Sequence, residues 1–323
     1  MNKRRFLKIS AMGGAAALAA SCERVKGLGQ KAEEKESKWN GVLFGAEAEM
    51  VFNHMTAEEA QHVIPQLVHE IKRLESLFSL YQAASPINEF NSKGFLNSVD
   101  PAFKDLMMQT ARIYQKTEGA FDPTIQSYWR ALLKAHEEHR ELEPIEREQA
   151  LELVDFRLLD FSGPGFRFRK EGMAVTFNGI AQGFITDRIH QMLKAAGFQN
   201  ILINLGEYRA LGGSDGGKPW LIRLREQGRF GSLAGNQIEL SDGALAVSSG
   251  AGFRFSATGS MHHLINPKTG QCFDSNRTVA VKASTATEAD ALSTACAVIT
   301  PEKAVALVEK FEGAQLIYDS MIS

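Results

Sequence analysis

His263-Leu264-Ile265-Asn266-Pro267-Lys268-Thr269-Gly270 and, further on, Asp290-Ala291-Leu292-Ser293-Thr294 are the stretches from which this 323-residue chain is best read. The first is an apolar run that carries a histidine into an Asn-Pro-x-Thr-Gly turn. Pro267 fixes φ and Gly270 can take positive φ, so the turn is sharp and its geometry defined. An imidazole beside such a turn is a candidate acid/base group, because its ordinary pKa lies near neutrality. The second stretch sets a carboxylate and a hydroxyl one helical turn apart, so on a helix Asp290 and Thr294 share a face. Two hard oxygen donors side by side suit Mg²⁺, which keeps other positions for water and phosphate. Each stretch has a plainer reading as well. Thr287 and Asp290 match an N-terminal capping box, and a hydrogen-bonded core histidine would look the same as His263.

Working outward, Met173-Ala174-Val175-Thr176-Phe177 predicts a strand that runs into Asn178-Gly179-Ile180-Ala181-Gln182-Gly183. A helix follows, with Ile185, Ile189, Met192 and Leu193 inward and Gly197 as its stop. A strand feeding a glycine turn and a helix N-terminus is an anion-binding arrangement. Residues 200–206, 220–224, 243–248, 279–282 and 315–318 predict further strands, and Thr300-Pro301-Glu302 opens a last long helix. Towards the N-terminus, residues 42–52 give a strand or strand pair. Thr56 and Glu59 make a capping box. Val63, Ile64, Leu67, Ile71, Leu74 and Leu77 then follow with helical periodicity, which Pro65 should kink or shift. Residues 85–91 are turn-rich. Asp100-Pro101 opens a second helix that buries Phe103, Leu106, Met107 and Ile113. Gly119-Ala120-Phe121-Asp122-Pro123-Thr124 reads as a loop. Residues 126–150 read as an exposed helix, which makes His136 and His139 solvated rather than metal-binding. With no internal repeat and no linker after residue 38, one α+β domain is the economical architecture.

Composition fits a soluble globular chain: 44% hydrophobic, 23% charged, net charge −2. That balance gives no reason to expect nucleic acid, which needs a basic surface. Lys3-Arg4-Arg5-Phe6-Leu7-Lys8 and the uncharged Ala/Gly-rich run to Ala20 look like a twin-arginine export signal, too short to span a bilayer. Ala17-Leu18-Ala19 offers a cleavage site, and Cys22 ends a poor lipobox that would make a membrane tether. The expected organisation is a signal over residues 1–22, a flexible tether over 23–38 and one domain over 39–323, in a periplasmic protein. The three cysteines, Cys22, Cys272 and Cys296, suggest neither a disulfide framework nor a cysteine metal site.

Taken in order, the motifs resemble the ApbE family, the FAD:protein FMN transferases. They are Leu80-Tyr81 with residues 85–91, Gly119-Ala120-Phe121-Asp122-Pro123-Thr124, Gly179-Ile180-Ala181-Gln182-Gly183 ending at Asp187, Asn204-Leu205-Gly206, Ser248-Ser249-Gly250, and the two stretches quoted first. The resemblance spans roughly residues 39–320. It implies a T-fold-like α+β domain with a mixed, largely antiparallel sheet packed by helices. It also implies Mg²⁺-dependent transfer of FMN from FAD to a Ser or Thr hydroxyl of a partner flavoprotein, as a phosphoester, with AMP leaving. By that resemblance Asp290, Thr294 and the Gly179 carbonyl hold the metal, and His263 takes the acceptor proton. Tyr81, Ala120, Phe121 and Asp122 line the flavin and adenosine site, with Thr176, Gln182 and Leu264 at further FAD-contact positions.

Three departures stand out. The family often has Asp at Thr176, Lys or Glu at Gln182, and a second glycine where Glu207 follows Gly206. His262-His263 and Asn-Leu-Gly-Glu also resemble the NosX-type branch. Two other functions would use the same residues: hydrolysis of FAD to FMN and AMP, and a non-catalytic FAD-binding maturation factor.

Overall fold

The computed structural model describes residues 36–223, 237–255 and 261–322. The signal and Cys22 lie outside them. The described chain enters as a hairpin in which β1 (Glu36–Leu43) and β2 (Ala46–Asn53) pair antiparallel across Phe44-Gly45. Both turn residues take positive φ, 49° and 82°, the two-residue geometry that matches strand twist. The hairpin takes up residues 36–38, which were expected in the tether.

Helix α1 (Ala57–Phe78) starts at the expected capping box, with Glu59 N–H donating to Thr56 Oγ1 and Thr56 N–H to the Glu59 carboxylate. It continues through Pro65 and buries Leu67, Ile71, Leu74, Leu77 and Phe78. Residues 85–91, expected as turns, instead open α2 (Pro86–Lys93). Ser85 caps it, Pro86 occupies its first turn and Gly94 closes it at φ 79°, so the same residue types served a helix start and stop. After β3 (Phe95–Leu96), α3 (Pro101–Lys116) is capped by Asp100 and buries Phe103, Leu106, Met107 and Ile113, as the periodicity predicts. The helix expected over 126–150 divides into α4 (Gln126–Glu137) and α5 (Pro144–Leu151). It is less exposed than its charge suggested, because Tyr128, Leu132 and Ala150 pack with Phe255 and Ile265 in a satellite core. His136 contacts the Phe255 carbonyl through Nδ1 at 2.6 Å. Strands β4 (Leu159–Asp160) and β5 (Phe166–Phe168) complete a small sheet with β3.

Residues 173–177, buried except for the half-buried Thr176, join no sheet, contrary to the strand expected there. Their backbone is satisfied elsewhere. Ala174 N–H donates to Ser127 Oγ, Val175 N–H to Asn91 Oδ1, and Thr176 N–H to Pro123 O; Asn91 Nδ2 returns a bond to Val175 O. Buried amides need partners, and side chains can stand in for a neighbouring strand.

The remaining elements are α6 (Ala181–Ala195), β6 (Ile201–Asn204), β7 (Tyr208–Leu211), β8 (Trp220–Arg223), β9 (Gln237–Leu240), β10 (Ala244–Ser249), β11 (Thr278–Ala283), α7 (Ala286–Ala297), α8 (Pro301–Val308) and β12 (Gln315–Asp319). The main sheet has the order β1-β2-β6-β7-β10-β11-β12. The largely antiparallel expectation holds at every described ladder. One face packs on the helices around Phe78, Phe103, Phe177 and Phe184, whose rings meet edge-on or tilted at 5.4–5.8 Å. The other face is covered by the β8–β9 hairpin through Trp220, Ile222, Ile238 and Leu240. Ala244, Ala246, Ala283, Ala286 and Ala289 meet between β10, β11 and α7, and such small side chains let the helix lie close on the sheet.

Candidate active site

The site begins with how α7 is held. Thr285 is its N-cap, accepting from Glu288 N–H at 3.2 Å. Asp187 on α6 reaches across to accept Ala286 N–H at 2.9 Å, Thr287 N–H at 2.8 Å and the Thr287 hydroxyl at 2.6 Å. A carboxylate on the first amides of a helix suits both the free donors and the helix dipole. The capping-box reading of Thr287 and Asp290 is therefore wrong, since both parts of the cap lie elsewhere. Asp290 is 4% exposed and accepts Gly183 N–H at 3.0 Å.

Gly183 is a glycine for a steric reason. A Cβ there would stand 2.3 Å from Ala286 O and 2.9 Å from Asp290 Cβ. Helices α6 and α7 thus meet backbone to backbone, with Asp290 in the seam. One turn on, Thr294 is half-buried, and a Cβ on Gly179 would lie 2.9 Å from its Oγ1 and 3.3 Å from the Phe121 ring. Ser248 of β10 places its hydroxyl 2.8 Å from Ser293 Oγ and 3.4 Å from Thr294 Oγ1. Asp290, Thr294, Gly179 and Phe121 therefore gather at one corner.

The His263 segment reaches the same helix from its other end. Asn266 Nδ2 donates to Val298 O, just beyond α7, at 2.7 Å. The turn then closes with Gly270 N–H on Asn266 O and Gly270 at φ 66°. His263 N–H donates to Phe253 O at 2.9 Å, and Gly252 lies flat against the imidazole, where a Cβ would be 2.5 Å from Cε1. Among the described residues, the buried His263 Nδ1 has no hydrogen-bond partner.

These motifs, in this order on this fold, match one family. The ApbE family model covers residues 44–318. The chain belongs to the ApbE family. Among ApbE relatives it is 28% identical over 253 residues to the FAD:protein FMN transferase of Haemophilus influenzae, covering 74% of this chain and 73% of that one. It is 25% identical over 289 residues to that of Treponema pallidum, covering 83% and 80%. The crystal structure of the ApbE protein from Thermotoga maritima superposes with a TM-score of 0.74 at 25% identity, over 87% of this chain and 93% of that one. The apo flavinyl transferase ApbE of Pseudomonas stutzeri gives 0.71 at 23%, over 85% and 88%.

The other ApbE positions are less uniform. Tyr81, 54% exposed, follows α1 in a turn held by Asn88 Nδ2 on the Leu80 and Gln82 carbonyls. Three residues earlier, Phe78 packs on Phe177, close in sequence to Gly179. Ala120 and Phe121 are buried, and Phe121 N–H donates to Thr117 Oγ1. Asp122 uses both oxygens inside the protein, one on the Thr124 hydroxyl and N–H and the other on Phe156 N–H. Burial lifts it to about 6 despite those bonds. Its visible part is to fasten the loop. Thr176 accepts Asn178 N–H at 3.1 Å and so shapes the Gly179 turn. Gln182 packs on Gly206, and Leu264 N–H donates to His262 Nδ1.

Electrostatics separate the two ends of the site. Asp290 is pushed up by burial, which outweighs the Gly183 N–H, and Asp187 adds to the rise. His263 is pushed down to about 4, chiefly by burial and then by His262, so its imidazole is neutral at neutral pH. His262 accepts from Leu264 N–H at Nδ1 and contacts Phe273 O through Nε2 at 3.0 Å. Sequence reasoning passed over Gly183, Ser248 and Asp187 as positions that build the corner. All three stood inside quoted motifs, but nothing in one dimension shows that α6 and α7 touch.

Proposed function

We propose that this chain is an FAD:protein FMN transferase, moving FMN from FAD to a Ser or Thr hydroxyl of a partner flavoprotein and releasing AMP. The observation that carries the proposal is the corner itself: a buried carboxylate and a hydroxyl one turn apart on α7, against a glycine turn. The donor set suits Mg²⁺, because Asp290 and Thr294 offer hard oxygens and the missing Cβ at Gly179 lets backbone approach Thr294 closely. Asp290, Thr294 and the Gly179 carbonyl would hold the ion, which when bound neutralises diphosphate charge.

The chain's own residues supply the rest. His263, held neutral at neutral pH by burial, would accept the proton of the attacking hydroxyl. Tyr81 offers an exposed ring for stacking on the flavin. Phe121 and Ile180, both buried, keep water from the rear of the corner. We also take residues 1–22 as an export signal, with Cys22 as an alternative lipid anchor, so the work would be done in the periplasm.

The test is to incubate the purified chain with FAD, Mg²⁺ and a flavinylatable partner protein, then image flavin fluorescence on a denaturing gel. A fluorescent partner band that vanishes with EDTA and with Asp290→Asn is expected. AMP release at the same rate without partner, and no band, would replace transfer by hydrolysis.

A further inference from the structure

Strand β10 and helix α7 lie against each other along a row of small side chains. Ala244 and Ala246 of β10 and Ala286 and Ala289 of α7 are fully buried there. Alternate strand residues share a face, so Ser248 continues the row of Ala244 and Ala246, and it meets Ser293 on α7. A methyl would fill either serine position, as it does elsewhere in the row; the two hydroxyls are what is added. Their hydrogens can be placed by counting, because a hydroxyl has one to donate. Ser293 Oγ donates to Asp290 O, in its own helix, at 2.9 Å. The 2.8 Å contact between Ser248 Oγ and Ser293 Oγ therefore takes its hydrogen from Ser248. At the remaining contact, 3.4 Å from Ser248 Oγ to Thr294 Oγ1, the hydrogen left is that of Thr294. The chain runs one way, from Thr294 to Ser248 to Ser293 to a carbonyl that can only accept.

A hydroxyl that binds a cation offers an oxygen lone pair and must direct its hydrogen elsewhere. Ser248 is where that hydrogen goes. Were Ser248 to donate to Thr294 instead, a Thr294 lone pair would be used inside the protein and its hydrogen would be free to face the corner. We propose that Ser248, fixed by Ser293, is a positioning residue that orients the Thr294 hydroxyl with its lone pairs towards the divalent ion. The chain ends on the main-chain carbonyl of Asp290, so it joins the two residues whose side chains would hold that ion. The next serine along β10 provides a control. Ser249 Oγ accepts from Thr278 Oγ1 on β11 at 3.2 Å, in a bond between neighbouring strands.

The inference rests on the metal reading under Proposed function, and one titration separates the two. Mn²⁺ is titrated calorimetrically into the purified full chain and into its Ser248→Ala, Ser248→Thr, Ser249→Ala, Ser293→Ala and Asp290→Asn variants. Melting temperatures are recorded without metal. Partners that orient a metal ligand are worth about 10–100-fold in affinity, so Ser248→Ala is expected to bind Mn²⁺ at least about tenfold more weakly. Its metal-free melting temperature should hold, which separates lost orientation from lost folding. Ser248→Thr keeps the hydroxyl and should bind like the unaltered chain, as should Ser249→Ala. Ser293→Ala frees the Ser248 hydrogen to turn onto Thr294 and should weaken binding by a smaller factor. Undiminished affinity in Ser248→Ala, with binding lost in Asp290→Asn, overturns the Ser248 assignment alone. Equal weakening in Ser248→Ala and Ser248→Thr overturns it too, because packing rather than the hydroxyl would then be responsible. No Mn²⁺ binding by the unaltered chain overturns the metal reading, and this inference with it. If Ser248→Ala does not fold, Ser293→Ala is read in its place, and undiminished affinity there overturns the assignment.

Discussion

Asp290 and Thr294 are held by main chain against main chain, whereas His263 is held by the hydrogen bonds and packing of one short segment. On the α7 side, Gly183 meets Ala286 O, Asp187 caps the first amides and Gly179 lies against Thr294. On the other side, one backbone bond to Phe253, the face of Gly252 and the Asn266–Val298 anchor set the imidazole. The difference separates two demands. An ion-binding corner needs oxygens fixed to a fraction of an ångström, and rigid backbone contacts deliver that. A proton acceptor instead needs an imidazole that is neutral and able to turn to its substrate, which a single segment can provide. Mutation should therefore damage folding on the first side and chemistry on the second.

The largest stability loss is expected where α7 ends. Arg277 pairs with Asp319 at 2.6 Å, both almost fully buried, and its guanidinium also donates to the Ala297 and Ile299 carbonyls. Arg277→Ala strands a buried carboxylate and should cost about 3–5 kcal/mol, measurable by urea unfolding. Next comes Gly183→Ala, whose methyl meets fixed backbone. It should cost about 1–3 kcal/mol by overpacking and weaken Mn²⁺ binding as the seam opens. An unchanged unfolding midpoint would show that the helices can part freely and would erase the contrast drawn above.

His263→Ala is the opposite case. Little stability should be lost and FAD binding should persist, while transfer falls by about 10²–10⁴-fold, the range for a lost general base. A stopped-flow turnover assay alongside fluorescence titration of FAD checks both parts. The smallest effect expected is on acid stability. His263 and His190 are both pushed from 6.5 down to about 4, each mainly by burial. The unfolded chain then takes up protons first as pH falls. Stability is complete above the ordinary imidazole range and is lost as pH drops towards 4. His190→Gln should shrink that loss; an equal slope in the variant would remove His190 from the account.

Much of this was legible in one dimension, and the exceptions share a cause. Helices α1 and α3 were readable because cap and apolar stripe agree. The Asp290-Thr294 face was readable because helical spacing is local. Residues 173–177 were misread as a strand because their apolar run is real, while the partners that replace a sheet, Asn91 and Ser127, lie far away in sequence. Residues 85–91 were misread as turns because Ser-Pro and Asn favour loops and caps alike. The acceptor side of the site was named from its motif. The role of Gly183 depends on where α6 and α7 meet, which no local pattern encodes.

The central claim is that Asp290, Thr294 and the Gly179 carbonyl bind one divalent ion. Anomalous diffraction from crystals of the chain grown with Mn²⁺ and FAD tests it most directly. The account predicts one strong peak within coordination distance of those three oxygens, on the diphosphate side of α7. A peak elsewhere, or none at saturating Mn²⁺ with FAD in place, would contradict it.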